Sequence, residues 1–208
     1  MARYHEAVCR LCRRAGEKLY LKGDRCFSPK CAVERKNQPP GQTMTRRRKV
    51  SERGLQLREK QKVRHTYGVL ERQFRRYYHT AQKRTGKTGE LLLIQLEMRM
   101  DSIVYRLGFA DSRKQARQLV THGHFELNGR KHDIPSAVLK ASDVVTVRAS
   151  SKTKEYFKIA AEKLREKTIP GWLSLDSGNL SGRILTVPTR NEMPQYLSEQ
   201  AVVEYYSR

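Results

Sequence analysis

The segment Leu96–Glu97–Met98–Arg99–Met100–Asp101–Ser102–Ile103–Val104–Tyr105–Arg106–Leu107–Gly108–Phe109–Ala110 is the most specific sequence in the 208-residue chain. It continues through Ser112–Arg113, Gln115–Ala116–Arg117–Gln118–Leu119–Val120, His122–Gly123–His124 and Asn128–Gly129. Upstream, Thr88 reads as the N-cap of a helix carrying Leu91, Leu92, Gln95, Leu96 and Arg99. Ser112 with Gln115 predicts a capping box for a short helix, and Gly123 stands where a C-terminal glycine would stop it. His124–Leu127, the Asn128–Gly129 dipeptide and the residues after it predict a strand, a tight turn and a second strand. Asp143–Arg148, rich in valine, predicts a further strand.

Within this segment Arg113 and Arg117 stand four residues apart on one helical face, where like charges repel unless an anion sits between them. Lys114 adds charge to the same end and Lys131 follows on the hairpin. Two or three such groups contacting phosphates would position a nucleic acid without reading its bases. A solvated helix face is the alternative that spacing alone leaves open.

Lys and Arg number 43 against 21 Asp and Glu, a formal net charge of +22, with 31 % charged and 38 % hydrophobic residues. An average soluble domain has about 25 % and about 45–50 %. Such an excess bears on association rather than fold and predicts a polyanionic partner. A phospholipid surface would require a basic amphipathic helix with a Trp/Phe/Leu face, but Trp172, the single tryptophan, lies far from the basic runs. Nucleic acid is the better match. The longest unbroken apolar run, Leu91–Ile94, is far short of the ~20 residues of a spanning helix. Met1–Ala2–Arg3–Tyr4–His5 leads into no apolar segment, so a cytosolic protein is expected.

Charge and apolar content run in opposite directions. Residues 1–64 carry 19 Lys/Arg against 6 Asp/Glu but only 10 Leu, Ile, Val and Phe, whereas residues 91–148 carry 19 of those apolar residues. The first stretch falls below the ~20 % level at which a charged chain stays disordered. It cannot offset its chain entropy by burial and needs a metal or the polyanion to order it. The middle stretch can build an ordinary core. Residues 1–45 read as loop-rich, ending in the Pro39–Pro40–Gly41 breaker. Helical patterns follow over about 52–64 and 69–83, where Leu70, Phe74, Tyr77, Tyr78 and Ala81 share one face. Residues 152–167 read as a helix before the break at Pro170–Gly171, and no internal repeat is visible.

Cys9, Cys12, Cys26 and Cys31 are the only cysteines, spaced C-x2-C-x13-C-x4-C. Two close pairs separated by a loop of this length form the layout of a closed tetrahedral thiolate site. Disulfides are disfavoured in a reducing cytosol. One structural Zn²⁺ suits four sulfurs without redox chemistry, and its bond energy would be folding energy for a segment without its own core. An iron–sulfur cluster is the alternative. Four Cys ligands leave no open position for catalysis.

The segment from Leu96 to Gly129 resembles the small RNA-binding module named after ribosomal protein S-four, helices packed on a short antiparallel sheet with a basic face for structured RNA. Ser51–Glu52–Arg53–Gly54–Leu55–Gln56–Leu57–Arg58–Glu59–Lys60–Gln61–Lys62 and Tyr67–Gly68–Val69–Leu70–Glu71–Arg72–Gln73–Phe74–Arg75–Arg76–Tyr77 resemble the helical region of the bacterial S-four family itself. Pro170–Gly171–Trp172–Leu173–Ser174, Pro188–Thr189–Arg190 and Glu204–Tyr205–Tyr206–Ser207–Arg208 resemble its closing segments, and the Cys-bearing end resembles the metal-binding members. The chain departs from the family in two places. Arg99–Met100–Asp101–Ser102 stands where the family has Arg-Leu-Asp-Asn, and Gly171 replaces the acidic residue usual before Trp172. Leu to Met keeps the volume; Asn to Ser loses an amide.

The resemblance implies an α+β chain in four parts: a four-Cys metal-binding knuckle (1–45), a basic helical domain (46–90), the S-four-type RNA-binding module (91–168), and a carboxyl segment packing on the helical domain (169–208). It implies a non-enzymatic primary binder of 16S rRNA in the small ribosomal subunit, holding a multi-helix junction of the 5′ domain and nucleating assembly of the subunit body. Protein S-five is the implied neighbour; with S-five and S-twelve the family influences translational accuracy, and some members touch mRNA near its entry or repress their own operon. Folded RNA is read mainly through shape, phosphates and 2′-hydroxyls. The candidate ligands are Arg3, Arg13 and Arg14; Arg46, Arg47, Arg48 and Lys49; Arg58 and Lys62; Arg72, Arg75, Arg76, Lys83 and Arg84; and, in the module, Arg113, Lys114, Arg117, His122 and Lys131. His122 is either a helix cap or an RNA contact. Tyr67, Tyr77 and Tyr78 would pack in the core or stack on bases. An RNA-modifying enzyme with the same module would need a catalytic domain, but only 60 residues follow position 148, without paired carboxylates, a Cys–His pair or a Gly-rich phosphate loop. A zinc-dependent DNA-binding regulator would need a base-reading helix, and none is visible.

Overall fold

The computed structural model describes residues 4–36, 38–42, 49–164 and 167–207. The chain forms two compact units, Met1–Leu93 with Pro194–Arg208, and Ile94–Met193. No helix among the described residues is long and apolar enough to cross a membrane.

The first unit opens on short elements: helix α1 (Cys9–Ala15), a 3-10 turn at Gly23–Cys26 and helix α2 (Ala32–Arg35). The sequence predicts only loop here, because a single turn or two gives too few apolar positions to show a period. Helix α3 (Glu52–Thr66) starts where the Ser51 hydroxyl accepts the Gly54 N–H at 3.2 Å. Helix α4 (Glu71–Gln82) buries Phe74, Tyr77, Tyr78 and Ala81, while Leu70 becomes its exposed N-cap. The last helix of the chain, which we label α10 (Glu199–Ser207), packs along α3, and its Tyr206 ring lies 4.5 Å from that of Tyr78 and 6.3 Å from that of Phe74. Tyr67, Tyr77 and Tyr78 are buried, so their place is the core and not the face of a base.

Helix α5 (Thr88–Glu97) carries the chain into the second unit; Thr88 is its first residue rather than its cap. Arg99, expected inside that helix, caps the next one, α6 (Met100–Arg106). The strand-like bridge of Arg99 with Val138 explains the break, since the Met100 N–H donates to the Ala137 carbonyl at 2.9 Å and the Leu139 N–H to the Met98 carbonyl at 2.8 Å. Ser102, standing where the family has Asn, is buried, and its hydroxyl finds no hydrogen-bond partner among the described residues. Helix α7 (Arg113–Thr121) is capped by the Ser112 hydroxyl, which accepts the Gln115 N–H at 3.3 Å. Gln115 reaches back to the N–H of Asp111 (2.9 Å), not that of Ser112, so the predicted box closes one residue early.

Strands β1 (Phe125–Leu127) and β2 (Arg130–His132) form the predicted hairpin. Asn128 and Gly129 both have positive φ, 49° and 78°, which matches the twist of a two-residue turn. The Asn128 side chain also ties the hairpin to β3 (Val144–Val147), donating to Asp143 and accepting from the Val144 N–H, each at 2.9 Å. The helix expected over 152–167 is two, α8 (Ala149–Lys152) and α9 (Glu155–Leu164). At the break the Thr153 hydroxyl donates to the Ser150 carbonyl at 3.3 Å, a local competitor of the helical ladder.

The carboxyl segment departs most from expectation. Strands β4 (Leu173–Asp176) and β5 (Ser181–Ile184) join the module's sheet, which is antiparallel throughout with the order β2-β1-β3-β5-β4. Of residues 169–208, expected to pack on the helical domain, the part that does so is α10. Gly171, where the family has an acid, would bring a Cβ within 3.7 Å of Glu192 Oε1, so glycine removes a like charge from that carboxylate. The second unit's core joins Ile103, Val104 and Leu107 of α6 to Phe125, Val145, Phe157, Trp172 and Ile184. Gly182 escapes strand periodicity because glycine is depleted in strands. It is required here: a Cβ would lie 2.9 Å from Leu107 Cγ and nearer still to both δ carbons. We predict that Gly182→Ala lowers stability by about 1–3 kcal/mol in urea unfolding, as overpacking does. An unmoved midpoint would mean that α6 does not press on β5.

Candidate nucleic-acid interface

The second unit keeps two acids inside. Glu97, its side chain 1 % exposed, accepts two hydrogen bonds from Arg106, from Nη2 at 2.7 Å and Nε at 2.9 Å, and a third from Arg113 Nη2 at 3.0 Å. Asp101, 4 % exposed, accepts from Arg99 Nε at 3.0 Å and Nη2 at 2.8 Å, and from Arg117 Nη1 at 2.9 Å. The anion that repulsion between Arg113 and Arg117 calls for is therefore supplied from within the fold, one carboxylate for each. These two arginines, expected to hold phosphates, brace α7 instead; Arg113 also lies 4.6 Å from the centre of the Tyr105 ring. Each carboxylate meets two guanidiniums, so each cluster keeps one surplus positive charge. Sequence reasoning missed these acids because the α7 arginines that they hold lie 16 positions away and Arg106 lies nine from Glu97, beyond a helical turn.

Outward cations lie at both ends of α7, Lys114 in its first turn and His122 and Lys131 by its last. Lys114, His122 and Lys131 are exposed. Gly123 has φ 71°, and a Cβ there would come within 2.9 Å of Lys131 Cε, so the lysine stem runs across the glycine. Arg148 Nη1 donates to the Gly123 carbonyl at 3.4 Å. The backbone of His122 forms the C-cap of α7, while its ring is exposed 6.1 Å from that of His124. His124 Nδ1 lies 3.0 Å from Ser151 Oγ. Burial, then the charges of Lys154, His122 and Arg148, push the His124 imidazole below its usual pKa. A helix C-terminus favours such positive neighbours. Arg148 and Lys154 belong to this face although no local motif marks them.

In the first unit the candidates divide. Arg58, Arg72, Arg75, Arg76, Lys83 and Arg84 are exposed on or after α3 and α4, as is Lys49. Lys62 is not available: it is buried between Glu17 at 2.8 Å and Glu59 at 2.6 Å. Arg13 donates to the Gln38 carbonyl at 2.8 Å and Arg14 to the Pro40 carbonyl at 3.2 Å, so both strap the chain after α2 onto α1. Arg3, Arg46, Arg47 and Arg48 lie outside the described residues.

Cys12, Cys26 and Cys31 are buried and Cys9 is half-buried, all as free thiols. Burial raises the Cys12 pKa, and Cys26, Cys9 and Cys31 are near enough to raise it further, against a hydrogen bond from the Leu19 backbone. The Lys22 N–H donates to Cys26 Sγ at 3.3 Å. Soft donors with backbone N–H groups turned on sulfur fit a thiophilic ion in kind. Among the described residues, however, no three His, Cys, Asp or Glu side chains close around a common point that could hold one, so the expected knuckle stands as a gathering of thiols. Removing a buried acid tests the rest of the site: Asp101→Ala leaves Arg99 without its two-pronged partner, and should lower stability by about 3–5 kcal/mol in urea unfolding. A loss below about 1 kcal/mol would place Asp101 outside the brace.

Residues 3–97 match the family model described as the ribosomal protein S4/S9 N-terminal domain, and residues 98–145 match the S4 domain. Over its full length the chain is 52 % identical to the small ribosomal subunit protein uS4 of Syntrophomonas wolfei, also covered in full. It is 53 % identical to the uS4 proteins of Heliobacterium modesticaldum and Clostridium tetani, with the same complete coverage of both chains. A protein with two buried arginine-bound acids and exposed cations, whose whole length aligns with these relatives, belongs to the uS4 family of small ribosomal subunit proteins.

Proposed function

We propose that this chain is a structural, non-enzymatic constituent of the small ribosomal subunit that binds 16S rRNA through phosphates. Beyond family membership, one observation carries the reading: the module's acids at positions 97 and 101 are buried on arginines, while Lys114, His122 and Lys131 are exposed and Arg148, 3.7 Å from Glu126, is half-buried beside them. Such a face positions an RNA by its backbone and shape. The exposed cations of α3 and α4 offer a second RNA-binding surface on the other unit. Binding to a 5′-domain helix junction, a place beside protein S-five, contact with mRNA near its entry and, with S-five and S-twelve, an influence on translational accuracy complete the proposal; family resemblance supports these.

A transcript of the 16S rRNA 5′ domain is expected to bind at least about tenfold more tightly than duplex DNA of equal charge, both weakening with salt. Equal affinities with equal salt slopes, measured by filter binding, would overturn the reading.

The same proposal includes one structural metal ion on Cys9, Cys12, Cys26 and Cys31, zinc before an iron–sulfur cluster. Its support is the paired spacing together with the burial and N–H···S contacts of the thiols. When bound, the ion would cross-link a segment with little core of its own. Native mass spectrometry of the full chain is expected to find one zinc, lost in the Cys9→Ser, Cys26→Ser double variant. Hydrogen exchange should then quicken in residues 4–36 and stay unchanged in 94–148. A metal-free parent chain, or unchanged exchange in the variant, would contradict it.

A further inference from the structure

The first unit holds a cavity of about 500 Å³ lined by Arg53 of α3, Glu71, Arg72 and Arg75 of α4, and Tyr205 and Tyr206 of α10. Its tyrosines are not equivalent. The Tyr206 hydroxyl donates to Glu71 Oε1 at 2.8 Å and its ring packs on Tyr78 and Phe74. The Tyr205 hydroxyl makes no hydrogen bond among the described residues, and its half-buried ring meets Tyr206 edge to face at 5.4 Å. Cations sit over that ring: Lys60 Nζ at 4.8 Å from its centre and the Arg53 guanidinium carbon at 5.9 Å.

The charges of the lining are equally unequal. Glu71 is engaged by Lys60 Nζ at 2.6 Å and Arg64 Nε at 3.8 Å. Burial acts to raise its pKa, but the hydrogen bonds from Lys60 and Tyr206 outweigh it and hold the carboxyl below the usual range. Among the described residues no carboxylate pairs with Arg72 or Arg75, and their three-residue spacing puts both guanidiniums on one face of α4. The cavity thus offers two unpaired guanidiniums beside an aromatic ring that Lys60 and Arg53 flank. Its size lies within the ~300–1,000 Å³ of small-ligand sites. Guanidinium forks match phosphate oxygens, and a tyrosine face takes any base by stacking. A bare phosphate or an acidic peptide would use the arginines and leave the ring idle.

We propose that this cavity receives one unstacked nucleotide of folded RNA, its phosphate held by Arg72 and Arg75 and its base lying on Tyr205 beside Arg53. The inference rests on the RNA-binding reading above and adds a subsite that grips an extruded base, where the rest of the surface grips backbone.

The test uses the full chain with the 5′-domain transcript. Ultraviolet irradiation of the complex should leave a nucleotide adduct on the peptide containing Tyr205. Tyr205→Leu should weaken transcript binding about tenfold, Tyr205→Phe should restore it, and duplex DNA affinity should not move. The exposed double variant Arg72→Gln, Arg75→Gln should lose the adduct while α10 stays protected in hydrogen exchange. With the free chain, AMP should perturb the Tyr205 ring resonances where ribose 5-phosphate and a polyglutamate peptide do not. Adducts confined to other peptides, equal binding by the Leu variant, or a peptide that binds where AMP does not would overturn the subsite while leaving transcript selectivity intact. A parent chain that binds transcript and DNA alike would overturn both.

Discussion

Two carboxylates, Glu97 and Asp101, each clasp a pair of guanidiniums where water is excluded, and the arrangement of the RNA-facing module depends on them. Buried charge is tolerated only when geometry is good and the remaining valences are filled. Here both acids are held by two-pronged arginine contacts, from Arg106 and from Arg99, and each takes one more bond from α7. Without the acids, each pair of arginines would be left facing like charge with little water to screen it. With them, α7 is fixed on α6, and Gly123, at the end of α7, is placed among the outward cations.

That internal pairing explains how a chain of net charge +22 both folds and binds. Its cations fall into two groups by what they touch. Arg99, Arg106, Arg113 and Arg117 are tied to buried carboxylates, and Lys62, itself buried, to Glu17 and Glu59. Lys131 and Lys114 in the module, and Arg58, Arg72, Arg75 and Arg76 in the helical unit, are exposed. The first group gives each unit its rigidity, and the second gives it a field. In the amino-terminal segment, where apolar residues are few, backbone straps from Arg13 and Arg14 and the gathered thiols take over part of the work of a core.

The module was legible in the sequence because its signals are local. A cap at Ser112, a stop at Gly123 and an Asn–Gly turn each fix one corner of α7 and the hairpin within a few residues. The β4–β5 hairpin was not legible, since Gly182 reads as a poor strand residue until Leu107, 75 positions earlier, is seen pressing on it. The RNA-facing charges were read with the same bias. Exposed arginines on α4 follow from the period of its aromatic face, but nothing within a turn of Arg117 reveals that Asp101 is waiting for it. Arg148 is brought beside Gly123 by contacts 22 to 25 positions away in sequence, to the Gly123 carbonyl and to Glu126. Local chemistry identified the elements; long-range pairing decided which cations remained for a ligand.

The most direct test of this division compares the salt dependence of transcript binding with stability, using Lys131→Gln and Arg117→Gln. The account predicts that Lys131→Gln lowers the slope of log affinity against log salt by nearly one, about 0.7–0.9 per lost phosphate contact, with an unchanged urea midpoint. Arg117→Gln should lower the midpoint and alter the slope less. An Arg117→Gln protein as stable as the parent, with its slope reduced as far as that of Lys131→Gln, would contradict it.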